Sequence, residues 1–181
     1  VSGKGMPAAL FMGKSKVLLD LYAMLRYSPK EIFDRANNQL CKNNDSGLFV
    51  TCWLGIFCFS TGELRFVNAG HPAPVLFQNG KFSYLTTKPN FVLGGMEDFQ
   101  YVEHTITLSK GDRIFVYSDG VTEATNSRNE LFGDERLLEA IKEIGLLSAP
   151  DTLKKMRERI DAFAGEAEQA DDITMLQFIW K

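Results

Sequence analysis

Two carboxylate-bearing strings stand at the edges of apolar runs: Ser118-Asp119-Gly120 and Ala170-Asp171-Asp172-Ile173-Thr174. The first follows Arg113-Ile114-Phe115-Val116-Tyr117, and the second opens a run from Ile173 to Ile179. Both runs read as buried strands. A strand end holds a side chain more rigidly than a loop does. Carboxylates fixed there suit a hard divalent cation such as Mg²⁺ or Mn²⁺, which prefers oxygen ligands. Taken alone, each string reads first as a turn, because Asp and Gly are ordinary turn residues. The surroundings must decide.

Few other residues offer chemistry. Lys4 lies between Gly3 and Gly5, but the nucleotide-loop pattern needs a glycine further upstream and Ser or Thr after the lysine, where Met6 and Gly5 do not comply. Its backbone N–H groups and the helix start after Pro7 can face an anion, with Lys4 adding charge; a solvated turn lysine fits equally well. His71, in Gly70-His71-Pro72, either caps a hairpin or serves a site. His104 sits inside an apolar strand and reads as structural, and Glu123 reads as a charge at a helix start. Cys41, Cys52 and Cys58 lack Cys-x-x-Cys spacing, and Cys52 and Cys58 share parity on one strand. Buried apolar thiols in a reducing compartment are expected, rather than a disulfide or a zinc site.

These residues need elements to position them. The chain has 181 residues, a formal charge of −3, 45% hydrophobic and 24% charged residues, enough for one well-cored domain over 1–181. The mild acidity gives no electrostatic argument for nucleic acid or an anionic membrane, and neither is expected as a partner. The most apolar stretch, from Ala8 to Leu25, is broken by Lys14, Lys16 and Asp20, so no membrane span is expected and the cytoplasm is the default location. Helices are expected over 8–25 and 29–42, the second opened by Ser28-Pro29. Strands follow over 48–59, 63–69, 73–78 and 81–85, with Asn79-Gly80 as the clearest hairpin turn. Strands at 101–108 and 112–117, helices near 134–144 and 150–164, and a final strand complete the order. Leu153, Met156, Ile160 and Phe163 form a core-facing stripe on the last helix. Consecutive hairpins favour antiparallel pairing, which makes the class α+β.

Several strings together resemble a family. Val1-Ser2-Gly3-Lys4-Gly5-Met6-Pro7, Asn68-Ala69-Gly70-His71-Pro72, the stretch Gly111 to Ala124, Phe132-Gly133 and Ala170-Asp171-Asp172-Ile173-Thr174 occur in the order found in PPM metal-dependent serine/threonine protein phosphatases. The likeness is to their bacterial sporulation-type (SpoIIE/RsbU-like) branch and covers the whole chain. It implies an antiparallel β-sandwich flanked by helices in α-β-β-α layers, with a two-metal Mn²⁺ or Mg²⁺ cluster at one end. By motif, Asp119 and Asp171 would be metal ligands, Gly120 the small neighbour behind them, and the Val1 backbone carbonyl a further ligand. Asp172 falls where relatives often carry Asn. His71 would stand beside the cluster as proton donor or phosphate contact. The reaction implied is hydrolysis of phosphoserine or phosphothreonine by two-metal activation of water, with no protein nucleophile.

The pattern departs from the family at its start. There an aspartate precedes Val-Ser-Gly-Lys-Gly, with a further acidic strand motif upstream; this chain begins after both. The expectation is a phosphatase domain without its N-terminal strands, inactive or weak as it stands. The partners implied are a phosphorylated anti-sigma-factor antagonist of the STAS type and an upstream sensor or receiver domain. Two alternatives stay open: a catalytically dead module that binds the same partner, and an assembly segment forming a homodimer through the apolar first helix.

Overall fold

The computed structural model describes residues 1–169 and 171–181; Ala170, the first residue of the second acidic string, lies outside them. In chain order the elements are α1 (Gly5–Met24), α2 (Pro29–Cys41), β1 (Cys52–Cys58), β2 (Glu63–Ala69), β3 (Val75–Gln78), β4 (Lys81–Tyr84), β5 (His104–Thr107), β6 (Arg113–Tyr117), α3 (Gly133–Ile144), α4 (Ala149–Ala164) and β7 (Met175–Ile179). A single 3₁₀ turn, Asp119–Val121, follows β6. All strand pairs are antiparallel. The expected α+β class holds: two antiparallel sheets and four α-helices among the described residues.

The chain divides into two compact units. The first comprises Val1–His71 and Thr87–Thr107. Its sheet has the order β1-β2-β5, with Cys52 opposite Ala69 and Phe66 opposite His104. Helix α2 begins where Ser28 and Glu31 form a reciprocal capping box and Pro29 presets the first turn. It buries Ile32, Phe33, Ala36 and Leu40, and Phe33 and Leu40 join Phe11, Val67, Leu93 and Tyr101 in one core. Helix α1 is apolar on two opposed sides. Ala8, Phe11 and Ser15 face inward, while Met6, Leu10, Val17, Leu21 and Met24 form an exposed stripe.

The second unit comprises Pro72–Thr86 and Leu108–Lys181. Its sheet runs β4-β3-β6-β7. The β3–β4 hairpin turns at Asn79 and Gly80, both at positive φ (53° and 77°), the backbone that an Asn-Gly turn supplies cheaply. Pairing of β6 with β7 places Tyr117 opposite Met175, so the chain leaves β6 beside the point where it enters β7. Behind this sheet Phe115, Tyr117, Leu137, Ile141, Met156 and Ile160 are buried in one core. Of the stripe expected on α4, Met156 and Ile160 are buried and Leu153 and Phe163 pack partly against that core.

Three expectations need correction. Cys58 is exposed rather than buried, because β1 is an edge strand and this residue ends it, at the turn into β2. Glu123 opens no helix: its N–H donates to the Asp119 carbonyl (2.8 Å) within the turn after β6, and α3 starts only at Gly133. Strand β1 starts at Cys52, since Val50 forms an isolated bridge with Leu93 instead.

Candidate metal centre

The acidic strings meet at one end of the β6–β7 pair. Ser118 continues the ladder by one residue: its N–H donates to the Thr174 carbonyl at 2.9 Å. Its hydroxyl donates to the Asp172 carbonyl and accepts the Thr174 N–H, both at 2.9 Å. Gly120 closes the approach from the other side. A Cβ at this position would lie 2.5 Å from the Asp172 carbonyl oxygen and 3.2 Å from that of Asp171. Both atoms are backbone and cannot swing aside, so only glycine fits without a backbone shift.

Asp119 and Asp171 are exposed and are held alike. One carboxylate oxygen of each accepts the N–H of the next residue, from Gly120 at 3.0 Å and from Asp172 at 2.8 Å. That bond restricts the side-chain rotamer of each acid. The Asp119 carbonyl is tied by the Thr122 hydroxyl (3.2 Å) and the Glu123 N–H (2.8 Å). The Asp171 carbonyl accepts from the Gln169 side-chain amide at 2.8 Å, and Gln169 in turn accepts from Arg157 at 3.4 Å. Oxygen donors of this kind suit Mg²⁺ or Mn²⁺. Among the described residues no group of three or more His, Cys, Asp or Glu side chains converges to hold a metal ion.

The remaining candidates belong to the first unit. Val1 is exposed. Its neighbour Ser2 is anchored, donating its N–H to the Phe49 carbonyl and accepting the Phe49 N–H on its hydroxyl, both at 2.8 Å. Lys4 is an exposed N-cap of α1 with no side-chain capping bond. His71 is half-buried and firmly held. Asn68 accepts its N–H and donates to its carbonyl, both at 2.8 Å, and Thr51 Oγ1 lies 3.4 Å from Nδ1. Gly70 makes this turn possible: it sits at φ +70°, and a Cβ there would lie 2.8 Å from Val92. The His104 ring lies against Phe66, with centroids 5.7 Å apart, and among the described residues its buried Nε2 has no hydrogen-bond partner.

Sequence reasoning missed the roles of Ser118 and Gln169. The serine stands inside a string that reads locally as a turn. Nothing local marks a hydroxyl whose partner lies 54 residues away.

The two acid-bearing segments thus meet at the end of a strand ladder, in an α+β fold of two antiparallel sheets. Over residues 1–181 the chain matches the family model described as Stage II sporulation protein E (SpoIIE), and it belongs to that family. It is 29% identical over 167 residues to phosphoserine phosphatase RsbU of Bacillus subtilis (strain 168), covering 92% of this chain and 45% of RsbU. The chain spans less than half the length of the curated relatives it matches. Among solved structures, the SiaA-PP2C domain of Pseudomonas aeruginosa superimposes with a TM-score of 0.85 at 19% identity, covering 99% of this chain and 73% of that one. The catalytic domain of the serine/threonine protein phosphatase PstP, in complex with two manganese ions, superimposes with a TM-score of 0.66 at 17% identity, covering 98% and 82%. The fold is that of the PP2C-type protein serine/threonine phosphatases.

Proposed function

We propose that the chain is the core of a serine/threonine protein phosphatase that hydrolyses phosphoserine or phosphothreonine on a regulatory protein, an anti-sigma-factor antagonist of the STAS type. The observation that carries this reading is the meeting of the Asp119 and Asp171 segments through Ser118 and Gly120. Residues 1–181 act as one phosphatase-like domain, in the cytoplasm, under an upstream sensor or receiver domain. Support for a single domain comes from the threading of the chain, which passes between the two units at 71/72, 86/87 and 107/108. Among the described residues no helix is long and apolar enough to cross a membrane.

Asp119 and Asp171 contribute carboxylate oxygens to the cation site, and Gly120 permits the two segments to close. By the motif likeness alone, the Val1 carbonyl is assigned as a further oxygen donor. Bound Mn²⁺ or Mg²⁺ supplies an acidified water and neutralises charge on the phosphoryl oxygens. The imidazole of His71, held through its backbone by Asn68, contacts phosphate or passes a proton to the departing serine or threonine oxygen. Lys4, at the exposed start of α1, adds positive charge for the substrate phosphate. The exposed stripe on α1 would serve a homodimer.

The test is phosphate release from a phosphoserine peptide by the full-length protein with Mn²⁺, compared with its Asp119→Asn variant. Cation-dependent turnover that falls to background in the variant is expected. Cation-dependent turnover equal in both would remove Asp119 from the site. Partner binding without any turnover would favour the catalytically silent binding module.

A further inference from the structure

We propose that Ser118 is a positioning residue for the Asp119–Asp171 pair, setting by its hydroxyl the spacing that cation binding requires. This rests on the metal-site reading above. The residue before one acid is tied to the residue after the other: Ser118 Oγ donates to the Asp172 carbonyl and accepts the Thr174 N–H, both at 2.9 Å. A serine hydroxyl has one donor hydrogen, and here it is spent on the acid-bearing loop. The last register pair of the β6–β7 ladder is Tyr117 with Met175. Beyond it the backbone supplies one further bond, from Ser118 N–H to the Thr174 carbonyl at 2.9 Å. The Asp172 carbonyl and Thr174 N–H are held by the side chain.

Two opposed constraints therefore fix one distance. The hydroxyl pulls the 172–174 segment in, and Gly120, with room for no Cβ, sets how near it comes. Asp119 lies between Ser118 and Gly120, and Asp171 is bonded through its own carboxylate to the N–H of Asp172. Displacing Asp172 thus displaces the Asp171 side chain. A serine serving only the strand end would hold the backbone without affecting a cation.

The experiment is a Mn²⁺ titration of the ¹⁵N-labelled full-length protein, wild type, Ser118→Ala and Ser118→Thr, read as paramagnetic broadening near residues 119 and 171. Amide exchange of Thr174 is followed alongside. Loss of a group that orients metal ligands costs about 10–100-fold in affinity, so S118A is expected to weaken Mn²⁺ binding by that factor and to lose protection at the Thr174 amide. S118T, which keeps the hydroxyl, is expected to restore both. Should S118A fail to fold, Ser118→Cys replaces it, being similar in size but a weak donor. Mn²⁺ affinity unchanged in the alanine or cysteine variant, with Thr174 protection lost, would overturn the positioning role while leaving the cation site standing. A folded wild type without saturable broadening at residues 119 and 171 would overturn the cation reading and this role together.

Discussion

Gly120 touches the second acidic segment only by leaving room for it. In Gly120→Ala the added methyl would meet the Asp172 carbonyl at 2.5 Å, a backbone atom that must move. Overpacking of this kind costs about 1–3 kcal/mol, to be read as a lower urea midpoint with an unchanged slope. Cys58 offers a separate measurement. Bonds from Ser60 and Thr61 stabilise its thiolate and bring its pKa down to about 7. Burial pushes the Cys52 thiol up to about 12. Iodoacetamide should therefore modify Cys58 with a rate rising through pH 7, since the thiolate is the nucleophile, and should leave Cys52 unmodified until unfolding. Ser60→Ala should move the Cys58 midpoint upward. A profile centred near the ordinary thiol value in the wild type would contradict the contacts drawn around it.

Helix α2 owes its position to a polar residue that periodicity does not reveal. Asn37 is fully buried and bridges to the segment before β5, donating to the Met96 carbonyl at 2.7 Å and accepting the Gly94 N–H at 2.9 Å. Asn37→Leu would strand the buried Gly94 N–H, and an unsatisfied buried group costs about 1–3 kcal/mol. Ser28→Ala, at the exposed cap of the same helix, should cost only about 1 kcal/mol. Chemical denaturation of the two variants should show that order. The element map was largely legible, since capping residues, Gly breaks and the Asn79-Gly80 turn are local signals. Strand ends were not: β5 covers His104–Thr107 where 101–108 was expected. Tyr101 instead sends its hydroxyl to the Val92 carbonyl and its N–H to Asp34, while Val102 bonds Asn90. The candidate site was legible in part for the same reason. Asp119 and Gly120 are adjacent in sequence, whereas their relation to Asp172 exists only after β6 and β7 pair.

Each unit has a core of its own, and each carries one tryptophan, Trp53 in the first and Trp180 in the second. Neither unit is a continuous stretch of chain. Unfolding either one strains the connections that enter the other, so the two tryptophans should report one urea transition. Trp53→Phe and Trp180→Phe, each leaving a single reporter, test this by coincidence of midpoints. Separate midpoints would show that the units melt independently.

The order of threading also constrains anyone who would take the molecule apart. Scissors placed at 71/72 would leave the first unit without 87–107, including the strand that pairs with β2. Scissors at 107/108 would leave the second without its β3–β4 hairpin. No single cut releases either half intact, so split reporters and minimal fragments must be designed across both boundaries at once.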